Sequence, residues 1–207
     1  MARRILILFA HPSVERSEIN SPLAQDATEH AACTLVDLYA EYPDYRINVD
    51  REQARLTSHD VIVFLFPLFW YSTPALLKEW QDLVLEHGFA YGSGGDALKG
   101  KDFLCVCSAG GPESAYHQGG MNNFELRALL RPLEQTANLC QMSYLPPFAI
   151  FGSRTALEDG RLPLHRKQFR LLLDALAEDS LQEWRGSTAR LLQLGEPANG
   201  VGLEDQS

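Results

Sequence analysis

The sequence predicts a single α/β domain built on a doubly wound sheet of five parallel strands in the order 2-1-3-4-5, and three observations predict it. Apolar runs without alternation, Val61 to Phe66 above all, carry the β-branched and aromatic residues of strands buried on both faces. Five such segments alternate with stretches of helical period, the pattern of strands joined by crossover helices. At 207 residues the chain has room for one sizeable core and is short for two.

Arg4 to Phe9 is the first apolar run and leads into Ala10-His11-Pro12. Ser17, Asn20 and Ser21 are all suitable caps for a helix reaching about His30. Pro22 fits only a first turn, so that helix either begins at Ser21-Pro22 or has an irregular turn from Ser17. Thr34 to Tyr39 reads as the second strand, Ala40 to Asp50 as a loop, and Arg51 to Ser58 as a short helix capped by Asp50. Pro67 lacks the N–H a ladder needs and ends the central strand. Thr73 then caps a helix with Pro74 at its first position. Leu76, Leu77, Trp80, Leu83 and Val84 recur at the spacing of one buried helix face.

Asp102 to Ser108 is the fourth strand. Asn123 to Cys140 reads as a helix kinked at Pro132, with Phe124, Leu126, Leu129, Leu130 and Leu133 inward. Ser143 to Phe151 makes the last strand, where Pro146-Pro147 suits an edge. Leu164 to Trp184 is a long amphipathic helix. These boundaries give a domain over residues 1–185 and a polar tail over 186–207, with Gly195 to Ser207 expected to be disordered.

In such a sheet, ligands gather at the carboxyl ends of the strands. Three loops converge there: His11 to Asn20, Leu68-Phe69-Trp70-Tyr71, and Ser108-Ala109-Gly110-Gly111. A first strand, polar loop and helix start form the place where this architecture takes a phosphate, because unpaired N–H groups and the helix dipole favour an anion. Ser17 or Ser21 as a simple cap, and His11 as a simple strand end, are equally compatible with the spacing. The aromatic loop offers a floor for a flat ligand. Gly110 and Gly111 permit positive φ and close backbone approach, or form an ordinary turn. Tyr116 and His117 supply the nearby hydroxyl and imidazole donors. Phe89 and Tyr91, held among glycines, require cover from a ligand or a second subunit.

A net charge of −9 argues against nucleic-acid binding. The four cysteines, Cys33, Cys105, Cys107 and Cys140, show neither C-x-x-C nor zinc-type spacing. They read as reduced packing residues of a cytoplasmic protein, with no metal site. The apolar segment Ile5 to Ala10 ends in His-Pro rather than a cleavage site and reads as a strand, not a signal peptide.

Several stretches together resemble the flavodoxin-like NAD(P)H:quinone oxidoreductases, and most closely their bacterial branch of ancillary subunits of glutathione-gated potassium-efflux systems. These are AHP with Ser17 and Asn20, YAEYPDYRINVDREQ, PLFWYSTPALLKEWQDLVLEHGFAYGSGGDALKGK, SAGGPESAY and LPPFAIFG. The resemblance covers roughly residues 4–180. It implies a flavodoxin-like fold, FMN, NAD(P)H as co-substrate, a homodimer and two-electron reduction of quinones or other electrophiles. By position it assigns His11, Ser17, Asn20 and the backbone of Glu18 and Ile19 to the FMN phosphate and ribityl chain. Leu68 to Tyr71 line the isoalloxazine, the N–H groups of Ser108 to Gly111 meet its polar edge, Tyr116 is the active-site tyrosine, and Phe89 and Tyr91 cover the substrate. The histidine that follows this tyrosine in the animal enzymes has no counterpart, Gly119-Gly120-Met121 standing there, and His117 is the nearest imidazole. The resemblance also leaves a second role open, that of a regulatory subunit on the cytoplasmic face of a potassium:proton antiporter. A plain electron-carrier flavodoxin fits less well, since His-Pro replaces its hydroxyl-rich loop after the first strand.

Overall fold

In the computed structural model, which describes residues 2–194, the central sheet is parallel throughout. Its strands are β1 (Ile5–Phe9), β2 (Cys33–Asp37), β3 (Val61–Pro67), β4 (Asp102–Ser108), β5 (Ser143–Tyr144) and β6 (Phe148–Ile150). The order is β2-β1-β3-β4-β5, and β6 also pairs with β4. The expected last strand is thus one edge position filled by two short pieces. Ser143 pairs with Asp102 at one end of β4 and Phe148 with Val106 towards the other. Between them Pro146 and Pro147 have no N–H to offer, which interrupts the ladder without leaving a donor unpaired.

Alternate residues of the central strands feed two separate cores. Leu6, Leu8, Phe64, Phe66, Cys105 and Cys107 face one side, and Ile7, Phe9, Val63, Leu65, Leu104 and Val106 the other. The second side is covered by α1 (Asn20–Glu29) and α7 (Arg161–Ala177), which contributes Phe169, Leu172, Leu173 and Leu176. The first side lies under the short α2 (Leu38–Glu41), α3 (Val49–Thr57), α4 (Ala75–Val84), α5 (Leu126–Leu129) and α6 (Arg131–Leu139). Every residue of β3 and β4 is buried, which explains why neither run alternates.

Several element ends differ from expectation. Asn48, not Asp50, caps α3, its Oδ1 accepting from Arg51 N at 3.0 Å; Asp50 lies in the first turn, where its charge still suits the dipole. Asp37 ends β2 and caps α2 by accepting from the N–H groups of Tyr39 and Ala40, so the expected strand to Tyr39 gives way to a helical turn. Pro74, at ψ 150°, is the residue before α4 and Thr73 makes no cap. Leu83 falls off the buried stripe of α4 and is 40% exposed, whereas Trp80 is 1% exposed. The predicted Asn123 to Cys140 helix is two helices. Pro132 sits in the first turn of α6, where its missing N–H has no partner to lose, and Phe124 precedes α5 and is exposed. The long final helix ends at Ala177, and Gln182–Trp184 forms a separate 3-10 turn.

Residues 186–194 lie against the body rather than projecting from it. Arg127 donates to the carbonyls of Ser187 and Ala189, and buried Leu192 donates its N–H to Pro147 O at 2.9 Å. The disorder expected of Gly195 to Ser207 concerns residues outside those described. All four cysteines are free thiols. Among the described residues no helix is long and apolar enough to cross a membrane.

Candidate functional site

The carboxyl ends of β1, β3 and β4 open onto a cavity of about 390 Å³ lined by His11, Pro12, Ser13, Arg16, Ser17, Glu18, Ile19, Asn20, Pro67, Phe69, Ser108, Ser153 and Arg154. Its floor is the start of α1. A 3-10 turn over Val14–Arg16 precedes the helix, Ile19 occupies the cap position without a side-chain cap, and Asn20 is the first helical residue. Pro22 is the third, within the first turn, so it removes a donor that needed an outside partner in any case. Ser17 Oγ accepts from Ser21 N at 3.1 Å. Ser17 therefore does serve the helix, from outside the usual cap position.

Asn20 is 2% exposed and its Nδ2 donates to Ser108 Oγ at 2.9 Å, tying the helix start to the end of β4. Its Oδ1 is buried with no hydrogen-bond partner. An unmet buried acceptor costs about 1–3 kcal/mol, so its place in a cavity wall marks a position where a ligand hydroxyl or N–H would fit. His11 Nδ1 accepts from Ser13 N at 3.1 Å, which assigns the proton to Nε2 and leaves that nitrogen a donor. Burial lowers the His11 pKa against the opposing charges of Glu15 and Asp37, so the ring is neutral at physiological pH. The ring meets Phe69 edge-on at 5.9 Å.

The aromatic loop is a tight hairpin. Phe69 and Ser72 exchange both backbone hydrogen bonds at 3.0 Å, leaving Trp70 and Tyr71 as the two central residues with φ 48° and 65°. Glycine and asparagine suit those angles and bulky aromatics do not. Trp70 is nevertheless 93% exposed, while Tyr71 donates its hydroxyl to Asn122 Oδ1 at 3.2 Å. Strain held at exposed aromatics is a mark of a functional surface.

After β4 the chain is more committed than its glycines suggested. Ala109 donates its N–H to Ile150 O at 2.8 Å, and Ser108 lies in the ladder between Pro67 and Ile150. Of the four amides proposed for a ligand edge, those of Gly110 and Gly111 remain. Neither Gly110 nor Gly111 has positive φ; a Cβ at Gly111 would stand 3.3 Å from the Tyr116 ring, a tight contact to which the ring would have to give way by a few tenths of an ångström. Tyr116 is 5% exposed, tilted on Phe151 at 5.2 Å, and burial raises its pKa, so it keeps its proton at neutral pH. That proton is available to donate. His117 is exposed and bonded to Gln118 O at 2.8 Å, directed along its own loop.

Seven predicted residues thus meet in one cavity: His11, Ser17, Glu18, Ile19, Asn20, Phe69 and Ser108. Leu68 packs on the core, and Trp70, Tyr71, Gly111 and Tyr116 form a rim joined by Asn122 rather than the wall. Phe89 and Tyr91 are half-buried against the core in the loop leading to the start of β4, away from this edge. Sequence reading missed Arg16, Ser153, Arg154 and Asn122. Arg154 follows β6 at the same sheet edge, lines this cavity and also borders a second of about 560 Å³, lined by Gly110, Phe151 and His165 among others. Two exposed guanidiniums beside a helix start suit a phosphate.

A parallel sheet of this order, with a helix-start cavity flanked by an aromatic hairpin, is the architecture of a flavodoxin-like protein. The comparisons agree: the family model described as "Flavodoxin-like fold" matches residues 3–172, and the chain belongs to that family. It is 48% identical over 151 residues to the glutathione-regulated potassium-efflux system ancillary protein KefG of Cronobacter sakazakii, covering 73% of this chain and 82% of that one. Among solved structures, general stress protein 14 of Treponema denticola in complex with FMN superposes with a TM-score of 0.79 at 36% identity, covering 84% and 99% of the two chains. An NADPH-quinone reductase from P. pentosaceus gives 0.72 at 32%, covering 84% and 97%.

Proposed function

We propose that this protein is an FMN-dependent oxidoreductase that transfers two electrons from NAD(P)H to quinones or related electrophiles. The observation that carries the reading is the buried, partnerless Asn20 Oδ1 in the wall of a cavity at a helix start. A ribityl hydroxyl would supply the missing donor. The FMN-bound relative and the quinone-reductase relative support the same reading. Bound FMN would supply hydride chemistry in a ping-pong cycle, nicotinamide and quinone using one stacking surface in turn.

The chain's own residues have definite tasks. The first turn of α1, with Ser17, Asn20 and the backbone of Glu18 and Ile19, binds phosphate and ribityl chain, and Arg16 and Arg154 add charge. His11 Nε2–H donates into the cavity. Phe69, Trp70 and Tyr71 provide the aromatic slot and exclude water from it. Gly110 N–H would serve as a donor to the polar edge of the flavin. Tyr116 holds a proton beside Gly111 and donates a hydrogen bond to the substrate oxygen. Phe89 and Tyr91 reach the slot only from a second copy, which makes a homodimer part of the reading.

The test is direct. Purified protein, reconstituted with FMN, should show a visible flavin spectrum that NADPH or NADH bleaches and a quinone restores. A chain that cannot retain FMN would sink the proposal. A regulatory role beside a potassium antiporter is the second reading, favoured by the similarity to KefG, and would place the protein on the cytoplasmic face of the membrane through that partner. If regulation dominates, turnover-dead variants should still activate potassium efflux in cells; loss of both together would remove that reading.

A further inference from the structure

A second cluster of reactive side chains lies at the opposite end of the sheet. Cys33 is half-buried, whereas Cys105, Cys107 and Cys140 are at most 1% exposed. It is the last residue of a tight turn from His30, closed by Cys33 N–H donating to His30 O at 3.0 Å. Such a turn brings its first and fourth residues together, and Ala31 and Ala32 between them are too small to intervene. Cys33 Sγ lies 3.5 Å from His30 Nδ1. The same Nδ1 accepts from Ala32 N at 3.3 Å, which makes it the unprotonated nitrogen. Nε2 therefore carries hydrogen and donates to Asp174 Oδ1, 3.2 Å away on α7. A thiol, a base and an orienting carboxylate stand in line.

We propose that Cys33 is a site of covalent modification by small α,β-unsaturated carbonyl compounds, with His30 as the proton acceptor and Asp174 as the positioning residue. In this step the Cys33 sulfur bonds to the β-carbon and the carbon–carbon π bond opens towards the carbonyl oxygen. The thiol proton passes to His30 Nδ1, and its return to the α-carbon leaves a neutral imidazole. Atoms and electrons balance without oxidant or reductant. Burial pushes the Cys33 thiol up to about 12, so at neutral pH it holds its proton until attack begins. That favours a base acting during bond formation over a standing thiolate, and a weakly acidic thiol is the stronger nucleophile once its proton is drawn off.

The site is separate from the flavin cavity. Cys33 pairs with Ile5 while the cavity begins beyond Phe9, which at the strand rise puts them roughly 13 Å apart. The inference therefore stands whether or not the chain binds FMN.

The experiment treats the full-length chain with N-ethylmaleimide at neutral pH and follows each cysteine by peptide mass spectrometry. Cys33 should react at least about tenfold faster than Cys105, Cys107 and Cys140. His30→Gln should slow Cys33 by about tenfold to a hundredfold, and Asp174→Asn should slow it less. Wild type should also show a normal solvent deuterium isotope effect that His30→Gln loses, a readout that a change in turn stability does not produce. Asp174 is exposed, so its variant separates chemistry from folding if the His30 variant loosens the turn. Modification of Cys33 no faster than the buried thiols, or wild-type rate and isotope effect in both variants, overturns the proposal.

Discussion

Tyr116 is buried yet keeps its hydroxyl proton, because burial keeps it from ionising. Removing that one donor should slow quinone reduction by roughly tenfold to a thousandfold in Tyr116→Phe, with FMN content unchanged. Equal turnover by the two proteins in a stopped-flow assay would remove Tyr116 from the mechanism. His165 gives a second prediction at this scale. It stacks on Phe148 at 4.4 Å, its Nε2 is buried without a partner, and desolvation lowers its pKa to about 4. The folded state then binds fewer protons than the unfolded one, whose imidazole titrates near 6.5, so stability is full above that pH and falls as pH drops towards 4. His165→Phe should flatten the loss, gaining up to about 3 kcal/mol at pH 4 relative to wild type, as read from urea melts at several pH values. The residue identities at the cavity were legible because His11, Ser17 and Asn20 belong to a strand-loop-helix pattern. Arg154 and Asn122 were not, since their proximity depends on how later loops fold back across the sheet.

The hairpin from Phe69 to Ser72 shows what an element can conceal. Its aromatics were legible as a ligand floor, but a two-residue turn with both central φ values positive was not, because the residues that signal it, asparagine and glycine, are absent. Replacing Trp70-Tyr71 with Asn-Gly should relieve strain and stabilise the isolated chain by about 1–3 kcal/mol while lowering FMN affinity. Thermal melting without flavin and flavin titration measure the two effects; a destabilised variant would show that the aromatics do more for the free fold than for the ligand. The helices tell the same story from the other direction. Trp80 was recognisable as core from its spacing, and it is fully buried with its indole N–H donating to Glu52 Oε2 at 3.0 Å. Helix ends were read less well, at Asn48 and Pro74, because neighbouring polar residues offered several caps of similar quality.

At the scale of the molecule, the three most exposed large apolar side chains among the described residues lie in two loops at the carboxyl edge of the sheet. Trp70 is 93% exposed, Met121 78% and Phe124 59%, and the Tyr71–Asn122 bond places the two loops side by side. Monomers rarely leave such a patch uncovered. Phe89 and Tyr91, in contrast, sit in a loop that their own subunit holds away from the cavity. Both facts are met if two copies associate so that each site combines one chain's Tyr116 with the other chain's Phe89 and Tyr91. Sedimentation should give twice the chain mass. The sharper measurement mixes two poorly active variants, Tyr116→Phe and the double substitution Phe89→Ala with Tyr91→Ala. Random exchange of subunits makes half of the dimers mixed, and each mixed dimer holds one site with all native side chains, so activity should recover to about a quarter of wild type. If the aromatics served the site of their own chain, every site in a mixed dimer would carry one defect and mixing would restore nothing.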